Sequence, residues 1–207
     1  MGNYSVIVLD FETTGLSPDH GDRPIEIGAV LVSDNRIVDR FDSLMNPGMR
    51  VSPFIEEFTG ISNEMLADAP SVAEVMERFV LFMARHRLVA HNAGFDRRFL
   101  DAELRRISRE RCQEFACSML AARRIYPDAP SHRLEALVRH KSLPSSGVHH
   151  RALADAEMTA HLWIAMVNDL KTLFNFRQVP FELMQQLARV SRKKAAAWLR
   201  KVAEEQG

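Results

Sequence analysis

The sequence predicts an α/β fold in which a mixed sheet is flanked by helices, and three patterns carry that expectation. An apolar run, Val6-Ile7-Val8-Leu9, stands near the amino terminus with the β-branched content of a buried strand. Alternation at Ile25, Ile27, Ala29 and Leu31, followed by a turn at Asp34-Asn35 and a second extended run, reads as a hairpin. Beyond it, amphipathic helical patterns alternate with short apolar segments, the element order of layered α/β domains.

Taken in order, strands are expected at 4–9, 25–33 and 36–45, with short strands near 87–90 and 114–117. Helices are expected around 52–57, 71–85, 95–107, 118–125, 131–140 and 150–170. Val72, Val75, Met76, Phe79, Val80 and Met83 recur at helical spacing in the second of these, and Phe95, Phe99, Leu100 and Leu104 in the third, after a turn at Asn92 and Gly94. Ala152, Ala156, Thr159, Leu162, Trp163, Met166, Val167 and Leu170 define the last. One motif-bearing domain is therefore expected over residues 1–170. From 171 to 207 a C-terminal helical extension follows, with two amphipathic helices interrupted near Pro180 and Ser191.

Composition narrows the class. The chain balances 27 Lys and Arg against 27 Asp and Glu. No run approaches the roughly 18 apolar residues of a membrane span, and Met1-Gly2-Asn3-Tyr4 lacks the basic region of a signal peptide. Cys112 and Cys117 have neither C-x-x-C spacing nor a second pair, which argues against zinc and fits a reduced, cytoplasmic compartment.

The informative residues are acids. Asp10 and Glu12 leave the first strand two residues apart, and residues i and i+2 share a face of a strand. Two like charges held so close need a cation, unless they sit on a solvated strand end. Oxygen-only donors suit a hard divalent ion such as Mg²⁺ or Mn²⁺. Asp96 falls in the first turn of a helix, where it either faces the helix dipole or joins the other acids. Asp155 shares a helix side with Ala152 and Thr159, an expensive place for a carboxylate that is neither paired nor bound to metal.

Asp10-Phe11-Glu12-Thr13-Thr14-Gly15, His91-Asn92-Ala93-x-Phe95-Asp96 and His150-x-Ala152-x-x-Asp155 together resemble, in order and spacing, the three motifs of the DEDDh 3′–5′ exonucleases. Between them, Phe58-Thr59-Gly60-Ile61, Met65-Leu66 and Ala69-Pro70 look like the joining segment of the proofreading epsilon subunit of bacterial DNA polymerase III. The resemblance spans residues 4 to 170. His150 stands five positions before Asp155, and Arg151 occupies the place of the Tyr that marks the other branch of the superfamily, so the chain is similar to the histidine branch.

That resemblance implies a ribonuclease H-like fold with a mixed five-stranded sheet, and phosphodiester hydrolysis with two Mg²⁺ or Mn²⁺ ions. It implies that Asp10 bridges both ions, that Glu12 and Asp155 complete the first, and that Asp96 holds the second directly or through water. His150, rather than its neighbour His149, is implied as general base. Thr13, Thr14, Gly15, Leu16, Thr59, His91, Asn92 and Phe95 are implied as contacts to the 3′ end of single-stranded nucleic acid. DNA is favoured over RNA, because Thr13 follows Glu12 where the oligoribonuclease branch has Met.

Three alternatives stay open: an exoribonuclease, a hydrolase of short oligonucleotides, and an accessory subunit holding 3′ ends in a polymerase complex. The C-terminal helices either pack on the exonuclease domain or form a surface for a polymerase or a second copy, since an exposed apolar stripe demands a partner. Phosphate contacts are sought in Arg97, Arg98, Arg105, Arg106, Arg109 and Arg111, in Arg123-Arg124, and in the tail from Arg189 to Lys201, each also readable as a solvated face.

Overall fold

The computed structural model describes residues 5–145 and 151–206. Strands β1 (Val6–Thr13), β2 (Pro24–Ser33), β3 (Arg36–Leu44), β4 (Arg87–Ala90) and β5 (Phe115–Cys117) form one sheet in the order β3-β2-β1-β4-β5. The β3-β2-β1 half is antiparallel, and β4 and β5 run parallel to β1, so the sheet is mixed. The helices among the described residues are α1 (Pro53–Thr59), α2 (Asn63–Ala67), α3 (Val72–Met83), α4 (Gly94–Arg106), α5 (Ser118–Ile125), α6 (Leu134–His140), α7 (Ala152–Phe174), α8 (Phe181–Arg189) and α9 (Ala195–Glu204).

The period of two along β1 sorts its side chains into two cores. Ile7, Leu9 and Phe11 pack with Val75, Met76 and Phe79 of α3 and with Phe99 and Leu100 of α4. Val6 and Val8 pack on the opposite face with Leu162, Trp163 and Met166 of α7 and with Ala121 and Ala122 of α5. That second core continues into Phe181, Met184 and Leu187 of α8 and Leu199 of α9. The helices beyond residue 170 therefore lie against α5, β5 and α7. Among the described residues, no helix is long and apolar enough to cross a membrane.

Three elements, β1, α6 and α7, depart from their expected bounds by three residues or more, and one, α2, is unexpected. β1 runs to Thr13 rather than Leu9, because β2 pairs with it as far as Thr13↔Pro24, so both acids lie within the strand. Helix α2 has no counterpart in the expectation: it is only five residues long, held at its start by Met65 N–H donating to Ser62 Oγ. Helix α6 begins at Leu134 instead of 131, since Ser131 and His132 spend their polar groups on loop hydrogen bonds. Helix α7 continues four residues past 170 and closes at Asn175 in the left-handed conformation.

Candidate active site

The acids converge because of sheet parity. Asp10 and Glu12 continue the face that Val6 and Val8 define, which is the face that α7 covers. Two features of β2 bring the start of α7 down onto that face. Gly28 lies opposite Asp10, and a Cβ there would stand 2.0 Å from Leu153 N and 2.1 Å from Ala152 C, so only glycine admits the α7 backbone at this approach. Glu26 lies opposite Glu12, is 1% exposed, and accepts hydrogen bonds from Arg151 Nη2 at 2.6 Å, Arg151 Nε at 2.9 Å and Ala152 N–H at 2.8 Å. With the first turn of α7 pinned, carboxylate oxygens of Asp10, Glu12 and Asp155 lie within 4.8 Å of one another.

Asp96 reaches the cluster from α4. β4 pairs with β1 only as far as Val8, and the Phe11 N–H beyond it donates to Asp96 Oδ1 at 3.3 Å. Asp96 is 2% exposed and adds its charge to the field at Asp10.

The electrostatics are those of a carboxyl cluster that could hold a cation. Burial, then the charges of Asp96, Glu12 and Asp155, hold the Asp10 carboxyl well above the usual range. Burial and the neighbouring Asp155 push Glu12 up to about 8, and burial pushes Asp96 to about 7. Carboxylates that resist ionisation beside one another ionise readily around a divalent cation. The donor set is all carboxylate oxygen, without Cys or His among the three clustered ligands, so it fits a hard ion of the Mg²⁺ or Mn²⁺ kind.

The acids floor a cleft of about 930 Å³. Its walls bring together Thr13, Thr14, Gly15, Leu16, Thr59, His91, Asn92 and Phe95. His149 and His150 lie outside the described residues. The Thr13–Leu16 loop is braced from below: Asp22 accepts from Ser17 N–H at 2.9 Å and Thr14 Oγ1 at 3.3 Å, and Arg98 Nη2 donates to Leu16 O at 3.4 Å. The Leu16 side chain is left 79% exposed at the cleft. His91 has both ring nitrogens engaged within the protein, at 2.9 Å to Ser118 Oγ and 2.9 Å to His132 O, and burial lowers its pKa to about 4.

Sequence reasoning missed several cleft residues. Phe54 and Phe58 on α1 stack with centroids 5.9 Å apart and stand 69% and 47% exposed on the wall. Their i, i+4 spacing was the available signal, but it reads equally as a core stripe. Arg133 and Glu135 come from the loop before α6 and its first turn, and Glu26 with Arg151 supports the floor. Of the basic candidates, Arg106 pairs with buried Glu103, Arg109 with Glu77 and Arg111 with Asp101, so these guanidinium groups serve the fold.

The comparisons agree with this geometry. The profile of the RNase T exonuclease family matches residues 7–163. The chain is 39% identical over 171 residues to the PolC-type DNA polymerase III of Bacillus cereus, a match covering 82% of this chain and 12% of that relative. With the PolC-type DNA polymerase III of Oceanobacillus iheyensis it shares 41% identity over 165 residues, covering 79% and 11%. The chain thus spans about an eighth of the length of these curated relatives. Among solved structures, exonuclease X in complex with 5′ overhanging duplex DNA superposes with a TM-score of 0.69 at 29% identity, covering 88% of this chain and 99% of that one. The nuclease domain of 3′hExo, a DEDDh family member bound to rAMP, shares the fold with a TM-score of 0.69 at 18% identity, covering 81% and 94%. The chain belongs to the DnaQ-like 3′–5′ exonucleases of the ribonuclease H-like superfamily.

Proposed function

We propose that this exonuclease removes nucleotides from the 3′ end of single-stranded DNA and releases nucleoside 5′-monophosphates, using two divalent ions, Mg²⁺ or Mn²⁺, and His150 as general base. The observation that carries the reading is the convergence of Asp10, Glu12 and Asp155 within 4.8 Å, with buried Asp96 alongside. Asp10, Glu12 and Asp155 would hold one ion and Asp10 with Asp96 the other. When bound, the ions supply the positive charge that activates the attacking water and stabilises the leaving oxygen.

The remaining roles belong to the chain. An imidazole nitrogen of His150 takes the proton of the attacking water. The braced Thr13–Leu16 loop presents backbone and hydroxyl groups to the terminal nucleotide, and Phe54, Phe58 and Phe95 give the cleft an apolar wall for its base. DNA as substrate is supported by the PolC-type DNA polymerases among the relatives and by the duplex bound to exonuclease X. The same relatives support work beside a polymerase. Residues 1–170 form the catalytic unit in this reading and residues 171–207 brace it, because α8 and α9 bury their apolar faces in the core that holds α7.

Digestion of end-labelled single- and double-stranded DNA and RNA tests the reading. Mn²⁺ should support a ladder that shortens from the 3′ end, fastest on single-stranded DNA, and EDTA should abolish it. Internal cleavage, or no cleavage of any substrate, refutes it. Faster digestion of RNA moves the assignment to an exoribonuclease.

A further inference from the structure

The cleft is lined by the carboxylates of Asp10, Glu12, Asp96, Asp155 and Glu135 and, among the described residues, by a single Lys or Arg, namely Arg133. A nucleic-acid strand is a polyanion, and ions at the cleft floor offset charge only at the scissile end. Phosphates further up the strand need a cation of the protein's own. Arg133 is exposed, and its guanidinium makes no hydrogen bond or ion pair among the described residues. Arg23, Arg40, Arg106, Arg109, Arg111 and Arg151, by contrast, are each held by a carboxylate.

The backbone beneath Arg133 is nevertheless fixed. Its N–H donates to Ser131 Oγ at 3.2 Å, and the ring of the preceding His132 contacts Tyr126 O at 3.0 Å. His132 O lies 2.9 Å from His91 Nε2, and a carbonyl only accepts, so Nε2 carries a proton, while Nδ1 lies 2.9 Å from Ser118 Oγ. That bond clips the Arg133 loop to the segment that also carries Asn92 and Asp96. A charged side chain with a fixed root and an unused planar fork matches the geometry of a phosphate.

On the reading that the cleft receives a nucleic-acid 3′ end, we infer that Arg133 is a phosphate clamp, gripping a backbone phosphate upstream of the scissile bond independently of the divalent ions. The sequence hides it, since a lone Arg between His132 and Leu134 belongs to no periodic pattern that would mark it.

The test is binding of a 5′-fluorescein-labelled oligothymidylate in EDTA, followed by anisotropy over a salt series. The wild-type protein should bind, and Arg133→Ala should bind more weakly, with the slope of log K against log salt reduced by about 0.7, the share of one single-strand phosphate. Arg133→Lys should keep most of the slope, and Arg139→Ala, altered at an exposed position of α6 outside the cleft lining, should match wild type. A neutral methylphosphonate walked along the oligonucleotide should weaken wild-type binding at one linkage, and Arg133→Ala should be insensitive there. If Arg133→Ala retains the wild-type slope, or if the wild type binds nothing in EDTA, the clamp is refuted. Digestion of the same oligonucleotide by the wild type with Mn²⁺ separates the two readings: digestion without the clamp signature overturns only the clamp, and failure of both overturns the exonuclease reading as well.

Discussion

Glu26 and Arg151 form an ion pair that decides where α7 begins: Glu26 Oε1 accepts from Arg151 Nη2 at 2.6 Å, while Oε2 accepts the Ala152 N–H at 2.8 Å. The pair ties the first turn of the helix bearing Asp155 to the strand opposite Glu12. Removing the Arg leaves a buried carboxylate with one remaining donor. Arg151→Ala should therefore lose about 3 kcal/mol of stability by denaturant titration, and turnover should fall with it as Asp155 drifts from the cluster. Arg151→Lys should recover part of both, since an ammonium supplies charge without the fork. Wild-type turnover in Arg151→Ala would sink the positioning role.

Gly28 serves the same junction through shape. A methyl group there would meet backbone atoms of Ala152 and Leu153 at 2.0–2.1 Å, and backbone cannot swing aside as a side-chain tip can. Gly28→Ala should cost about 3 kcal/mol or more and depress turnover more than it depresses oligonucleotide binding. A thermal melt and a kcat against KM comparison would check it.

Removing a floor acid should separate stability from activity. Asp10→Asn replaces a carboxyl whose ionisation burial and the neighbouring acids oppose, so the EDTA-treated variant should melt higher than the EDTA-treated wild type. Its turnover should drop at least roughly 100-fold, equivalent to about 2.7 kcal/mol of transition-state stabilisation. Mg²⁺ should raise the melting temperature of the wild type, as a ligand specific to the native state does. An equal rise in Asp10→Asn would place the stabilising ion elsewhere.

The pH dependence of the metal-free protein follows from the raised carboxyls. Glu12, at about 8 against an ordinary 4.5, and Asp96, at about 7 against 3.8, hold protons in the folded state that the unfolded chain has already released. Stability must then fall as pH rises through that window. His91 pulls the other way only below 6.5, where the unfolded chain gains a proton that the folded ring, at about 4, refuses. Between pH 6.5 and 8 the carboxyls act without that opposition. In EDTA the melting temperature should decline over this range, Glu12→Gln should flatten much of the decline, and the gain from Mg²⁺ should widen. A flat wild-type curve would contradict the buried-charge account of the site.

What the sequence discloses and what it conceals divide along physical lines. Asp10 and Glu12 are legible because a strand's period of two puts them on the face of Val6 and Val8, and Asp155 because a 3.6 period sets it beside Ala152 and Thr159. Those periods depend on local spacing alone. The Glu26–Arg151 pair depends on register, the alignment of β1 with β2, together with the landing point of a helix over 120 residues away. Phe54, Phe58 and Arg133 depend on which side of a short helix or loop is left uncovered, and that is settled by elements elsewhere in the chain. The end of β1 at Thr13 is of the same kind, fixed by pairing with Pro24 rather than by the composition of its own residues.

The general base is tested by the two neighbouring histidines. If His150 takes the proton of the water, His150→Ala should lose most turnover while keeping metal-dependent binding of a 3′ end, because Asp10, Glu12, Asp96 and Asp155 remain. His149→Ala should stay close to wild type, since adjacent helical or extended residues point in different directions and only one imidazole can meet the water. The wild-type rate should fall toward acid pH as the imidazole is protonated, and the variant should lose that limb. Raising the pH should partly rescue His150→Ala, because hydroxide replaces the missing base. Should His149→Ala be the inactive variant instead, the five-residue spacing to Asp155 is the wrong guide, and the match at the third motif falls with it.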